Sequence, residues 1–222
     1  MRRSELVGVV FVVAVLSYVI LGLHSGAAAP SQVSTPLVIR LDLQPDERIT
    51  GATAGNLEDG LFPSLVMGTA IPPGYGRVHL LHWTGKQYER VWVFRNVAGV
   101  FESAMIRAVT NNKRNDLVTL WRGGQGGYLD VLIFEWDGRT YRKIWQLSGL
   151  EKEGQLTQGA SLIIRRVDDF GGVELVIRAP NVQPGESSLG AVSHQVSIYR
   201  WNAATTTFLL HKRFVDAEKS HD

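Results

Sequence analysis

Hydrophobic and polar positions alternate along this chain in short runs, and the clearest run folds back on itself. Val131 to Trp136 is apolar and short enough for a strand. Asp137-Gly138 follows, then Thr140 to Trp145, where β-branched and aromatic residues predominate. An Asp-Gly pair between two such runs predicts a hairpin with a two-residue type I′ turn. Val78 to Trp92 repeats the pattern without a gap, aligning Trp83 with Trp136, Gly85 with Gly138, Tyr88 with Tyr141 and Trp92 with Trp145. A weaker third copy runs from Val196 to Trp201 and from Thr205 to His211, with a longer turn that lacks glycine.

Further short apolar runs fill the body of the chain: Leu37 to Leu43, Leu65 to Met67, Ser103 to Val109, Leu117 to Trp121, Ser161 to Val167 and Val173 to Arg178. Gly, Asn, Asp and Pro clusters separate them, and no window after the N-terminal segment holds a helical period. The pattern therefore predicts an all-β body. Ahead of each hairpin lie a strand, a polar loop and a second apolar strand; the loops are Asn56 to Gly60, Thr110 to Asp116 and Val167 to Gly172. Each unit thus predicts four antiparallel strands, and Trp83, Trp136 and Trp201 recur at 53 and 65 residues, where propeller blades repeat at roughly 40–60. The last interval is stretched by Ala179 to Val192. The strand before each turn is apolar on both faces, as in a sheet covered on both sides. The expectation is about three propeller-like blades in an incomplete ring, because closed propellers have at least four. An open ring predicts completion by a protein partner or a second copy.

The N-terminus is organised differently. Residues 1–5 form a short leader carrying Arg2 and Arg3, and residues 6–23 are uncharged and apolar. About 18 such residues suffice to cross a bilayer as a helix. Positive charge on one flank orients the N-terminus to the cytoplasm and the rest outside. The expectation is a single-pass anchor in the cell membrane with an extracytoplasmic domain, or a secreted protein if the segment is cleaved at the small residues 25–29. Residues 24–36 read as a linker, 37–215 as the propeller-like domain and 216–222 as a tail.

Composition narrows the chemistry. A net charge of +2 over 222 residues gives no basis for nucleic-acid binding. The absence of cysteine removes disulfides, thiolate chemistry and cysteine-based zinc sites. No metalloprotease, phosphate-loop or nucleophile-elbow motif is present. His79 and His82 fall on opposite faces of a strand, so they do not form one metal site. Gly123 to Gly127 connects two strands and opens no helix, which removes the phosphate-cradle geometry. The expectation is a non-catalytic protein with no cofactor. Trp121 has no counterpart among the repeated tryptophans, and with Arg122 it is the candidate ligand contact.

The loop and strand Asp168-Asp-Phe-Gly-Gly-Val-Glu-Leu-Val-Ile177, with the degraded forms Asn111 to Val118 and Asn56 to Gly60, resembles the FG-GAP/VCBS-type repeat. These repeats are the blades of integrin α-like β-propellers. The resemblance spans about residues 37–214. It implies a propeller fold that works by binding, and a cation site in the acidic loop, with Asp168 and Asp169 as candidates. Phe170 and Gly172 replace the later acidic positions, and Lys113 and Arg114 enter the second loop, so the resemblance implies a degenerate site. The functional expectation is a membrane-anchored extracytoplasmic scaffold acting through protein contacts. The alternative is a glycan-binding or glycan-active propeller protein.

Overall fold

The computed structural model describes residues 11–12, 38–57, 63–110, 114–123, 127–148, 159–167, 172–181 and 193–217. Every regular element among them is a β-strand. The first sheet contains β3 (Arg48–Gly55), β4 (Ser64–Ile71), β5 (Tyr75–Trp83) and β6 (Tyr88–Ala98). The second contains β7 (Val100–Arg107), β8 (Asp116–Gly123), β9 (Tyr128–Trp136) and β10 (Tyr141–Leu147). The third contains β11 (Ser161–Arg166), β12 (Val173–Pro180), β13 (Ser193–Asn202) and β14 (Thr207–Ala217). Each set is an antiparallel meander in chain order. Two short strands, β1 (Phe11–Val12) and β2 (Val38–Arg40), extend the first sheet beyond β6. β2 runs parallel to β6 with Ile39 opposite Tyr88, and β1 pairs antiparallel with β2. The expected anchor and linker otherwise lie outside the described residues, as does the tail after Ala217. Among the described residues no helix is long and apolar enough to cross a membrane.

The three sheets repeat residue by residue. Trp83 and Trp136 end β5 and β9, Trp201 is the last residue but one of β13, and the three pair across the turn with Tyr88, Tyr141 and Phe208. Their ring centroids stand 5.2, 5.1 and 5.3 Å apart. A bulge follows at one shared position, placing Val91, Ile144 and His211 outside the pairing. Leu65, Leu117 and Leu175 are equivalent, and so are Val66, Val118 and Val176.

The apolar core lies between sheets. One cluster joins Val66, Val78 and Leu80 of the first sheet to Phe101, Leu117, Trp121 and Phe134 of the second. Another joins Val118, Val131 and Ile133 of the second to Leu175, Ile177 and Phe208 of the third. The fourth strands contribute equivalent bridges. Trp92 meets Phe134 and Tyr141 at 5.1 and 5.7 Å, and Trp145 meets Tyr199 and Phe208 at 5.2 and 5.6 Å.

Two expectations need correction. The first strand of the first unit is Arg48–Gly55, not the apolar run Leu37 to Leu43. It is poor in large apolar residues because β7 lies so close that Gly51 and Gly55 leave room only for the Phe101 and Ile106 side chains. The turn after Trp136 is also longer than a two-residue type I′ turn. β9 ends at Trp136 and β10 starts at Tyr141, with Gly138 at φ 99°. The Asp137 carboxylate accepts the Arg139 and Thr140 N–H groups at 2.9 Å, which closes the wider turn. Asn202 does the same in the third hairpin, accepting from Ala204 and Thr205.

Two further glycines seat the second sheet on the first. A Cβ at Gly76 would stand 2.4 Å from the Trp121 ring, and one at Gly68 would overlap Phe101. Gly76→Ala should therefore cost about 1–3 kcal/mol through overpacking. Gly123→Ala, where the nearest atom is 3.7 Å away, should stay within about 0.5 kcal/mol. Urea unfolding of the two variants checks this, and equal midpoints would refute the socket.

Candidate interaction surface

Residues directly opposite in paired strands share a face, so each sheet presents a row that can be read across its four strands. On the side facing the second sheet, the first sheet presents Thr53, Val66, Leu80 and Trp92. The second sheet presents Met105, Val118, Ile133 and Trp145 toward the third. Both rows are covered by the sheet that follows. The third sheet presents Ile163, Val176, Ile198 and Lys212 in the same places. Val176, Val196 and Ile198 form a cluster of their own, with no further half-buried apolar side chain among the described residues packed on it. Ile163 is 51% exposed and Phe214, opposite Val196, is 38% exposed.

Cations surround this apolar row. Glu174 accepts from Arg165 and Arg200 at 2.7 Å each, an ion-paired bar across β11, β12 and β13. The Glu174 carboxyl is almost fully buried. Burial pushes its pKa up, but the hydrogen bonds and charges of the two arginines prevail and hold it below the ordinary value. Arg178 lies on the same face, opposite Val196. Lys212 takes the place of Trp92 and Trp145, with its Nζ 4.9 Å above the Phe214 ring. Among the described residues the outer edge is also open. β14 is the last strand of its sheet, with Leu209, Leu210, Phe214 and Val215 all exposed. His211, Lys212 and Arg213 interrupt that edge, the usual protection of a free strand against stray pairing.

The opposite end of the molecule is closed by its own chain. Residues 39–47 form a strap over the outer face of the first sheet, where Ile39 and Leu41 bury against Leu65, Met67, Leu81 and Tyr88. Glu47 ends the strap in a buried polar cluster. Its Oε1 accepts from Thr69 and lies 3.2 Å from His79 Nε2, its Oε2 accepts from Arg77 at 3.1 Å, and the Gln44 N–H caps the same carboxylate. Burial raises the Glu47 pKa, yet the bonds from Gln44 and Thr69 and the charge of Arg77 outweigh it, leaving it below the usual carboxylate value. Burial lowers His79, against the pull of Glu47, and its Nδ1 has no hydrogen-bond partner.

The residues singled out from sequence fall in different places. Trp121 is fully buried, edge-on to Phe101 at 5.4 Å, with its Nε1 donating to Thr119. It offers no surface to a ligand, and it lacks repeat partners because Thr69 and Ala179 occupy its equivalent positions. Arg122 is an inter-sheet clasp, donating to Glu102 at 2.7 Å and to the Ala160 carbonyl at 2.7 Å. Asp168 and Asp169 lie outside the described residues. In the second loop the acid at Asp116 is turned inward, accepting the Val109 and Thr110 N–H groups at 2.9 Å. Burial pushes its pKa up. His79 is buried and His82 half-buried on opposite faces of β5. Among the described residues no group of three His, Asp or Glu side chains could hold a metal ion. The open row is not evident from hydrophobicity along the chain, although Lys212 in the register of Trp92 and Trp145 is a signal once the shared bulge is counted.

Acid should loosen the strap. His79 has a folded pKa below its ordinary 6.5, so its contribution to stability is present above that value and is lost as pH falls toward the folded one. Glu47 behaves the same way below 4.5. The urea midpoint of the wild type should fall between about pH 7.5 and about pH 5.5, and His79→Gln should flatten that fall. An equal fall in the variant would assign it to other groups.

No family model matches the chain, and no curated protein matches it in sequence, so the equivalences among its own three sheets are the frame for this surface.

Proposed function

We propose that this chain is a membrane-anchored, extracytoplasmic scaffold module that acts through protein–protein contact. In this reading its three sheets are propeller-type blades of the FG-GAP/VCBS kind in an open ring. The observation that carries it is the row Ile163, Val176 and Ile198, built to the pattern of two covered inter-sheet rows and, among the described residues, left without a following sheet. A rigid sheet that exposes one apolar face with a polar rim suits protein docking. The apolar composition of segment 6–23 behind Arg2 and Arg3 supports anchoring with the domain outside, against the short β1 pairing of Phe11–Val12 within it. The glycan alternative is the weaker one, because its lead residue, Trp121, is buried in the core. The inward turn of Asp116 supports reading the polar loops as structural closures.

Photo-crosslinking of the full chain in its native membrane tests this. The protein should remain in the membrane fraction after alkaline extraction. A photoreactive residue at Ile163 should give a discrete protein adduct, and one at Arg139, in an exposed turn, should not. A chain released by extraction would remove the anchor, and no adduct at Ile163 would remove the docking role.

A further inference from the structure

We infer that the strap is a proton-gated cover: a proton taken up by His79 releases residues 41–47 from the first sheet while the three sheets stay folded. The inference stands apart from the protein-contact reading, because it concerns what the chain hides and not what it binds.

Geometry makes the strap separable. Ile39 and Arg40 pair with β6, but residues 41–47 form no strand pair. Their last turn bonds to itself, with the Glu47 N–H donating to the Gln44 carbonyl and the Gln44 N–H to the Glu47 carboxylate, each at 3.0 Å. It can lift without unpairing a sheet. Leu41 in the apolar cluster and Glu47 in the polar one hold it down. The first sheet keeps its contact with the second on its other face, through Val66, Val78 and Leu80. A segment with few apolar contacts and no ladder is the first to open locally.

The closed cluster has no place for an imidazolium. The His79 side chain is fully buried. Its Nε2 stands 3.2 Å from Glu47 Oε1 and 3.3 Å from the Thr69 hydroxyl. Thr69 gives its own proton to Glu47, so Nε2 carries the imidazole proton and donates. A second proton would sit on Nδ1, where no acceptor stands. A buried charged donor without a partner is costly.

The surrounding charges oppose that proton as well. On the strap-side face His79 lies between Met67 of β4 and Val93 of β6, with Ala52 of β3 beyond Met67. Arg77 of its own strand and Arg95 of β6 flank it on one side, and Arg90 of β6 on the other. The strap brings Glu47, already paired with Arg77 at 3.1 Å, and Asp42, 3.8 Å from Arg90. Burial accordingly holds His79 below its ordinary 6.5, against the pull of Glu47. Once the strap lifts, the ring meets water and titrates near that ordinary value. Opening is therefore coupled to uptake of one proton. Glu47 stays ionised in this range, because its own pKa lies below 4.5.

Opening uncovers Leu65, Met67 and Leu81. The equivalent face of the second and third sheets, marked by Leu117 and Leu175, is the one that receives the preceding sheet. Near neutral pH the strap blocks a sheet-receiving face, and acid unblocks it.

Urea reads the whole fold, whereas hydrogen exchange of the full chain in detergent reads the strap alone. With His79 titrating near 6.5 when open and not protonated when closed, the open fraction of residues 41–47 should rise about tenfold from about pH 7.5 to about pH 5.5, after division by intrinsic exchange rates. Peptides from β8 and β9 should not follow. His79→Gln should abolish the rise. Leu43→Ala, which weakens packing alone, should raise the open fraction at both pH values and keep the ratio. Nitrogen NMR shifts of the wild-type imidazole need no variant: His79 should be protonated only in the open form. No rise in the wild type, a rise shared by β8 and β9, a rise that survives His79→Gln, or an imidazolium signal under a protected strap would each overturn the gate.

Discussion

Valine, leucine and isoleucine side chains project from both faces of the second strand of every sheet, so each sheet needs a cover on each side. Fully burying one such side chain stabilises by roughly 1.5–3 kcal/mol. No polar contact in the molecule competes with a row of them. The middle sheet meets the requirement within the chain, with Leu117 and Phe134 under the first sheet and Val118 and Ile133 under the third. Other features serve that stacking. Glycines at 68 and 76 let Phe101 and Trp121 in, Trp92 and Trp145 reach forward, and Arg107 and Arg122 donate to carbonyls of the next sheet's leading edge.

The two end sheets meet the requirement unequally. The first is sealed by Ile39 and Leu41, which stand in for a preceding sheet. Glu47 adds little net energy there, since a buried ion pair roughly offsets its own desolvation. What it adds is register: four separate donors or rings converge on one carboxylate, and the strap satisfies them in one position only. The third sheet has the row and no cover among the described residues. That asymmetry separates an end the chain covers itself from an end with no cover among the described residues.

Much of this is legible in the sequence, and the failures share a cause. The hairpins are readable because tryptophan, aromatic and turn residues recur in one register. The all-β class follows from short runs and absent helical periods. β3 escapes such a reading because close packing demands small residues, and hydrophobicity then carries no signal. Leu37 to Leu43 mimics a blade strand because alternation toward a sheet looks the same in a covering strap. Trp121 reads as a ligand contact because it stands alone, yet it stands alone because Gly76 opens a socket for it. Each error concerns what lies opposite a residue in space, which periodicity along one strand does not encode.

The buried polar positions argue in the same direction. Ser64, Asp116 and Glu174 are equivalent in the repeat, and their chemistry differs completely. Asp116 closes its own loop by accepting backbone N–H groups. Glu174 ties two arginines across the open face. Glu47 and His79, at the sealed end, hold the strap. Each of these titratable groups is committed to local geometry, and the three sites do not converge on a shared cleft. The apolar rows are what the repeat keeps constant, and polar residues vary with what each row must face. A lysine where two tryptophans preceded it is that same rule at the end of the stack, on the face that no sheet among the described residues covers.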